Sequence, residues 1–167
     1  MAGVLNTISP VLFESVSAAT ATPSVQLGTR VGVAGNEYVY VYNAGAADIS
    51  QGMMGFLPAS SLSSGYSVSV TNAASQAGHE RVVGVAHNAT IAAGSYGWLA
   101  TKGLVLIALD ASQVSMNSGD LLAAGVDGGF VVAPATLATG SRLGIAINSI
   151  VTTVGTGKAW FKSPLFG

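Results

Sequence analysis

Half of the 167 residues are apolar and only 8% are charged, for a formal net charge of −1 at neutral pH, whereas an ordinary soluble domain carries about 25% charged residues. That length suits one domain with its own core, and so little charge leaves neutral and apolar atoms to cover the surface, which favours assembly over a free monomer. The absence of cysteine excludes disulfides and thiolate chemistry, scattered Lys and Arg form no stripe that would track nucleic-acid phosphates, and no apolar run reaches the roughly 18 residues of a membrane-spanning helix.

Residues 1–25 begin apolar and become rich in Ala, Ser and Thr, which predicts an extended N-terminal arm followed by a link. A secretory signal is disfavoured, because no positive residue precedes the apolar part and Pro10 and Glu14 interrupt it. From residue 26 to 167 the pattern is that of a single β-domain. RVGVAGNEYVYVYNAG predicts a hairpin over 29–43 with its turn at AGNE, 34–37, and with Tyr38, Tyr40 and Tyr42 on one face and Val39 and Val41 on the other. A short strand or loop follows in NAGAADISQGMMGFLP, then an alternating strand in YSVSVT. Further strands are expected at 81–87, 96–101, 103–109, 120–124, 129–135, 142–147 and 158–163, with Lys102 and Gly103 as the turn between the second and third of these. Strands every 8–12 residues or so, with no capped 3.6-residue stripe, predict an all-β sandwich or barrel of short strands.

Two stretches run in parallel. RVVGVAHNATIAAGSYGWL and RLGIAINSIVTTVGTGKAWF place Gly84 with Gly144, Ala86 with Ala146, Asn88 with Asn148 and Gly97 with Gly157, although Trp98 and Trp160 fall out of step. Chance in a chain with 22 glycines and a repeated strand–turn–strand unit giving pseudo-symmetric halves are both open readings.

The residues able to do chemistry are few. GHER, 78–81, clusters His79, Glu80 and Arg81, and His79 with His87 lacks the third ligand and the spacing of a metal site. No nucleophile elbow is present, and VGTGKA departs from a phosphate loop at Thr152 and Ala159. Asp120 and Asp127 precede or follow glycine as hairpin-turn residues do. No catalytic, cofactor-binding or metal-binding residue is therefore assigned, and no cofactor. The tyrosine stripe Tyr38, Tyr40 and Tyr42 reads as a candidate subunit interface rather than a sugar platform. In GSYGWLATKG, Gly94, Tyr96, Gly97 and Trp98 read as a structural corner with an aromatic plug.

Taken in order, QLGTRVGVAGNEYVYVYNAGAADISQGMM, RVVGVAHNATIAAGSYGWLATKG and GDLLAAGVDGGFVVAPATLATGSRLGIAI resemble small structural proteins of tailed-phage heads, in particular decoration or cement proteins with β-clip or β-tulip type barrels. The resemblance spans about residues 26–163. It implies a non-enzymatic virion protein on the outer capsid surface, with the major capsid protein and further copies of itself, as a trimer, for partners. It also implies that the arm grips neighbouring subunits through Val4, Leu5, Ile8, Val11, Leu12 and Phe13, with strand pairing adding main-chain bonds. A fibre, tail or adhesin domain reading a sugar or receptor with Tyr38, Tyr40, Tyr42, Trp98 and Trp160 is the second reading. An enzyme built on His79, Glu80 and Asp110 is the third.

Overall fold

The computed structural model describes residues 19–58, 67–68, 81–135, 142–151 and 155–165. Their regular structure is all strand: β1 (Arg30–Val33), β2 (Asn36–Asn43), β3 (Met54–Phe56), β4 (Ser67–Val68), β5 (Val82–Val85), β6 (Tyr96–Ala108), β7 (Ser115–Met116), β8 (Leu121–Ala124), β9 (Phe130–Val132), β10 (Gly144–Ala146), β11 (Ile150–Val151) and β12 (Thr156–Lys162). The main sheet runs β1-β2-β6-β12-β10-β8-β9, with β3 and β5 branching from β6 and β4 joining β2; β7 and β11 form a small second sheet. The protein is an all-β fold.

The hairpin β1–β2 is tighter than its sequence suggests. Its turn is Ala34–Gly35, both with positive φ (51° and 83°), a primed two-residue turn whose twist matches the flanking strands. Asn36 and Glu37 consequently belong to β2.

Lys102 and Gly103 do not form a turn. The two strands expected on either side of them are one strand of 13 residues, β6, and Gly103, at φ 119°, bends it without reversing it. At the bend β6 changes partner: Tyr96–Lys102 pairs with β2, and Lys102–Ala108 pairs with β12. The Asn36 side chain bridges the change like a peptide group, its Oδ1 accepting from Leu104 N at 2.8 Å and its Nδ2 donating to Leu104 O at 3.0 Å. A side chain on Gly103 would occupy the position of that amide.

This change of partner exposes the architecture. β2, β3, β4, β5 and the first half of β6 form one unit; the second half of β6, then β8, β9, β10 and β12, form a second unit of the same design. Met54↔Val85 and Val85↔Ala100 in the first correspond to Leu121↔Ile145 and Ile145↔Trp160 in the second. Gly52 N donates to Ala86 O and Ala86 N to Met53 O, as Gly119 N donates to Ala146 O and Ala146 N to Asp120 O. The bridge Ile49↔Ile91 has its counterpart in Met116↔Ile150. Even the parallel pairing recurs, Tyr42↔Ser67 beside Leu109↔Phe130. The repeated strand–turn–strand unit is therefore real, and β6 is the last strand of one copy and the first of the next.

Each unit has its own inner core. Val39, Val41, Ile49, Val83, Ala86, Ile91 and Leu99 fill the first. Their structural counterparts Val105, Ile107, Met116, Leu143, Ala146, Ile150 and Ala159 lie in the larger cluster. That larger cluster also takes in the opposite face of the first unit, including Tyr38, Met54, Val85 and Ala100. The two units are thus stacked in series, the outer face of the first merging with the inner core of the second.

Candidate functional site

The residues singled out by sequence fall into three groups. Val4, Leu5, Ile8, Val11, Leu12 and Phe13, together with His79 and Glu80, lie outside the described residues. Thr20 to Val25, assigned by sequence to the arm, are already held on the sheet. Thr20 exchanges backbone hydrogen bonds with Tyr96 (2.9 and 2.8 Å), Ser24 N donates to the Tyr40 hydroxyl at 3.0 Å, and Val25 packs against the core. The arm boundary at residue 25 therefore falls inside the folded body, because the chain needs those residues to cover Tyr40.

The tyrosine stripe occupies the face that alternation predicts, but two of its members face inward. Tyr38 and Tyr40 are 4% and 1% exposed; Tyr42 is half-buried. Both faces of β2 are covered, valines on the first inner core and tyrosines on the larger cluster. A subunit contact through Tyr38 and Tyr40 is thereby corrected: these rings are enclosed by their own chain, with Tyr40 packed at 5.0 Å on Trp98 and 6.1 Å on Tyr96. Only Tyr42, 4.9 Å from Tyr96, retains surface to offer.

GSYGW leads into β6. Gly94 has φ 72°, a conformation that favours glycine, and a Cβ on Gly97 would press on the Ile91 side chain at 2.7 Å. Trp98 is 3% exposed and its indole N–H has no hydrogen-bond partner among the described residues. Trp98→Phe keeps most of the packing and deletes that buried donor, so its cost should stay near 1 kcal/mol, against about 3–5 kcal/mol for Trp98→Ala. Chemical denaturation of the two variants checks this, and equal losses would show that the N–H is bonded after all.

Three titratable groups, His87, Asp110 and Asp120, serve the fold. His87 Nδ1 accepts from Leu106 N at 2.7 Å; burial and then the nearby Lys158 charge lower its pKa, keeping the ring neutral as that acceptor requires. Asp110 is fully buried. Its Oδ1 accepts from Ser112 N (2.9 Å) and Oγ (2.6 Å), and its Oδ2 from Asp127 N (2.7 Å). Burial alone would raise its pKa, but the Ser112 hydroxyl and the backbone N–H groups of Asp127, Ser112 and Val126 together outweigh that and lower it. Asp120 Oδ2 accepts from Asn117 N at 2.7 Å, a turn role. Among the described residues no group of three or more His, Asp or Glu is arranged to hold a metal, and no helix is long and apolar enough to cross a membrane.

What sequence reasoning missed is a row of apolar residues on the outer face of the second unit, three of them exposed and Leu121 half-buried. Leu104, Trp160, Ile145 and Leu121 are directly opposite one another across β6, β12, β10 and β8. Trp160 is 56% exposed, Ile145 45% and Leu104 36%. Arg142 and Lys162 join Trp160, Ile145 and Leu121 around a shallow depression of about 360 Å³. A smaller hollow lies beside Tyr38, between Arg30 and Thr101.

No family model matches the chain, and no curated protein matches it either. Among solved structures the chain is similar to the head fiber gp8.5 N base of bacteriophage phi29, with a TM-score of 0.49 and 12% identity over 75% of this chain and 95% of that one.

Proposed function

We propose that this chain is a non-enzymatic structural protein of a tailed-phage virion, a decoration or cement protein that binds the outer surface of the head, contacts the major capsid protein and further copies of itself, and stabilises the joints between capsid subunits. The reading rests on the resemblance of residues 26–163 to such proteins. One structural observation supports it: among the described residues, Asp110 and His87 are committed to holding loops and strands of a duplicated sheet. Such a body is a scaffold for attachment. Many copies, each weakly held, add through avidity.

The test is cosedimentation with heads assembled without this protein, together with the melting temperature of those heads. Binding with a rise in melting temperature is expected. Saturable binding to a glycan array with no affinity for heads would favour the fibre or adhesin reading instead. For the arm, deletion of residues 1–18 should leave the body folded, because Thr20 still pairs with Tyr96, and should weaken attachment. Deletion of 1–25 should also lower stability by removing the Ser24 bonds to Tyr40 and the packing of Val25 on the core. Unchanged attachment after the shorter deletion sinks the arm.

A further inference from the structure

The duplication supplies an internal comparison. In the first unit, the row equivalent to Leu104–Trp160–Ile145–Leu121 is Tyr38–Ala100–Val85–Met54, joined by the same registers. Those four residues are between 0% and 4% exposed, covered by Val25, Leu27, Val31 and Val33 of the N-terminal segment and by the second unit. The first unit therefore uses this face as a packing surface. In the second unit the same face carries a larger aromatic and, among the described residues, stays largely uncovered, with Trp160, Ile145 and Leu104 exposed and Leu121 half-buried.

Charge says what would cover it. Lys158, Trp160 and Lys162 alternate with buried residues and so share the outer face of β12. Lys102 stands directly opposite Lys162, a like-charge pair that costs stability and that Glu37, 3.1 Å from Lys102, offsets. With Arg142 on the rim, the row is bordered by four of the six Lys and Arg in the chain. Two copies meeting face to face here would set these cations against one another.

We infer that the Leu104–Trp160–Ile145–Leu121 row is a docking face for another protein, one that presents an apolar surface rimmed by carboxylates. On the reading proposed above, on which this inference rests, that protein is the shell of the head. Trp160 is the anchor that enters the partner's apolar surface, and Lys158, Lys162 and Arg142 pair with the surrounding acids, setting orientation and association rate.

The experiment uses the full chain and heads assembled without it. Trp160→Ser, at an exposed site, should fold as the wild type does and bind heads about 30-fold more weakly or worse. Lys158→Glu with Lys162→Glu should weaken binding at low salt and flatten its salt dependence. Val114→Ser, at an exposed apolar residue outside the row (74% exposed), should bind normally. Because Trp98 is buried, a blue shift of tryptophan emission on binding reports Trp160. If the wild type itself fails to bind heads, the parent reading falls. If the wild type binds and Trp160→Ser binds equally well, the docking face is overturned. Loss of self-association in Trp160→Ser without loss of head binding would also overturn it, making the row a contact between copies, and so would displacement from heads by free sugars.

Discussion

Gly84→Ala and Gly144→Ala should each cost the protein about 3 kcal/mol or more, among the largest losses expected from adding one methyl group anywhere in the chain. These glycines occupy equivalent places in the two units, on β5 and β10, and each faces a main-chain carbonyl of the neighbouring strand. A Cβ on Gly84 would lie 2.5 Å from the Ala100 oxygen, and one on Gly144 would collide with the Trp160 oxygen. Ala100 and Trp160 are themselves equivalent. Backbone cannot rotate away as a side-chain tip can, so the strands must separate, and the hydrogen bonds between them stretch. Gly32→Ala is the control, since nothing lies closer than 4.0 Å to its added carbon. Urea unfolding of the three variants decides the matter; if Gly84→Ala costs no more than Gly32→Ala, the close approach has been misjudged.

The second large effect is expected at Asp110. Asp110→Ala leaves the amides of Ser112 and Asp127 without their acceptor in a part-buried place, which should cost roughly 2–3 kcal/mol. Its counterpart in the first unit is Asn43, equally buried, whose Oδ1 accepts from Gly45 N while its Nδ2 donates to Ala47 O and Ile91 O. The same turn is closed in both units, but the first offers carbonyls to the second side-chain atom and the second offers an amide. Asn43→Asp and Asp110→Asn should accordingly both destabilise, each by facing like with like. The lowered pKa of Asp110 adds a pH signature. Its contribution is complete above the unfolded value near 3.8; below that the unfolded chain takes up the proton first, and stability is lost as pH falls through the native value. Wild type should therefore lose stability on acidification more steeply than Asp110→Ala, and parallel curves would disprove the role.

Much of the fold was legible because alternation reports pleating directly. Tyr38, Val39, Tyr40 and Val41 do point to opposite sides, and strands fall where the apolar runs predicted them. The duplication was half visible. Gly84 with Gly144 and Gly97 with Gly157 align because close approach admits only glycine at both copies, whereas the tryptophans mislead: Trp160 stands where the first unit has Ala100, and Trp98 where the second has Lys158. Lys102 and Gly103 read as a turn because glycine with positive φ marks turns and bends alike, and the Asn36 amide that turns this one into a bend comes from 67 residues before Gly103. The exposed row was invisible for a further reason. Alternation tells that Tyr38 and Leu104 each lie on one face, but not which face the rest of the chain will cover.

The shared strand carries a last consequence. A break at Lys102 would leave each unit its own half of β6, but it would release the bend that the Asn36 amide holds at Leu104 and untie two units whose side chains share one core cluster. Unfolding of the intact chain should then be a single cooperative transition, and a chain cut at Lys102 should lose both units together.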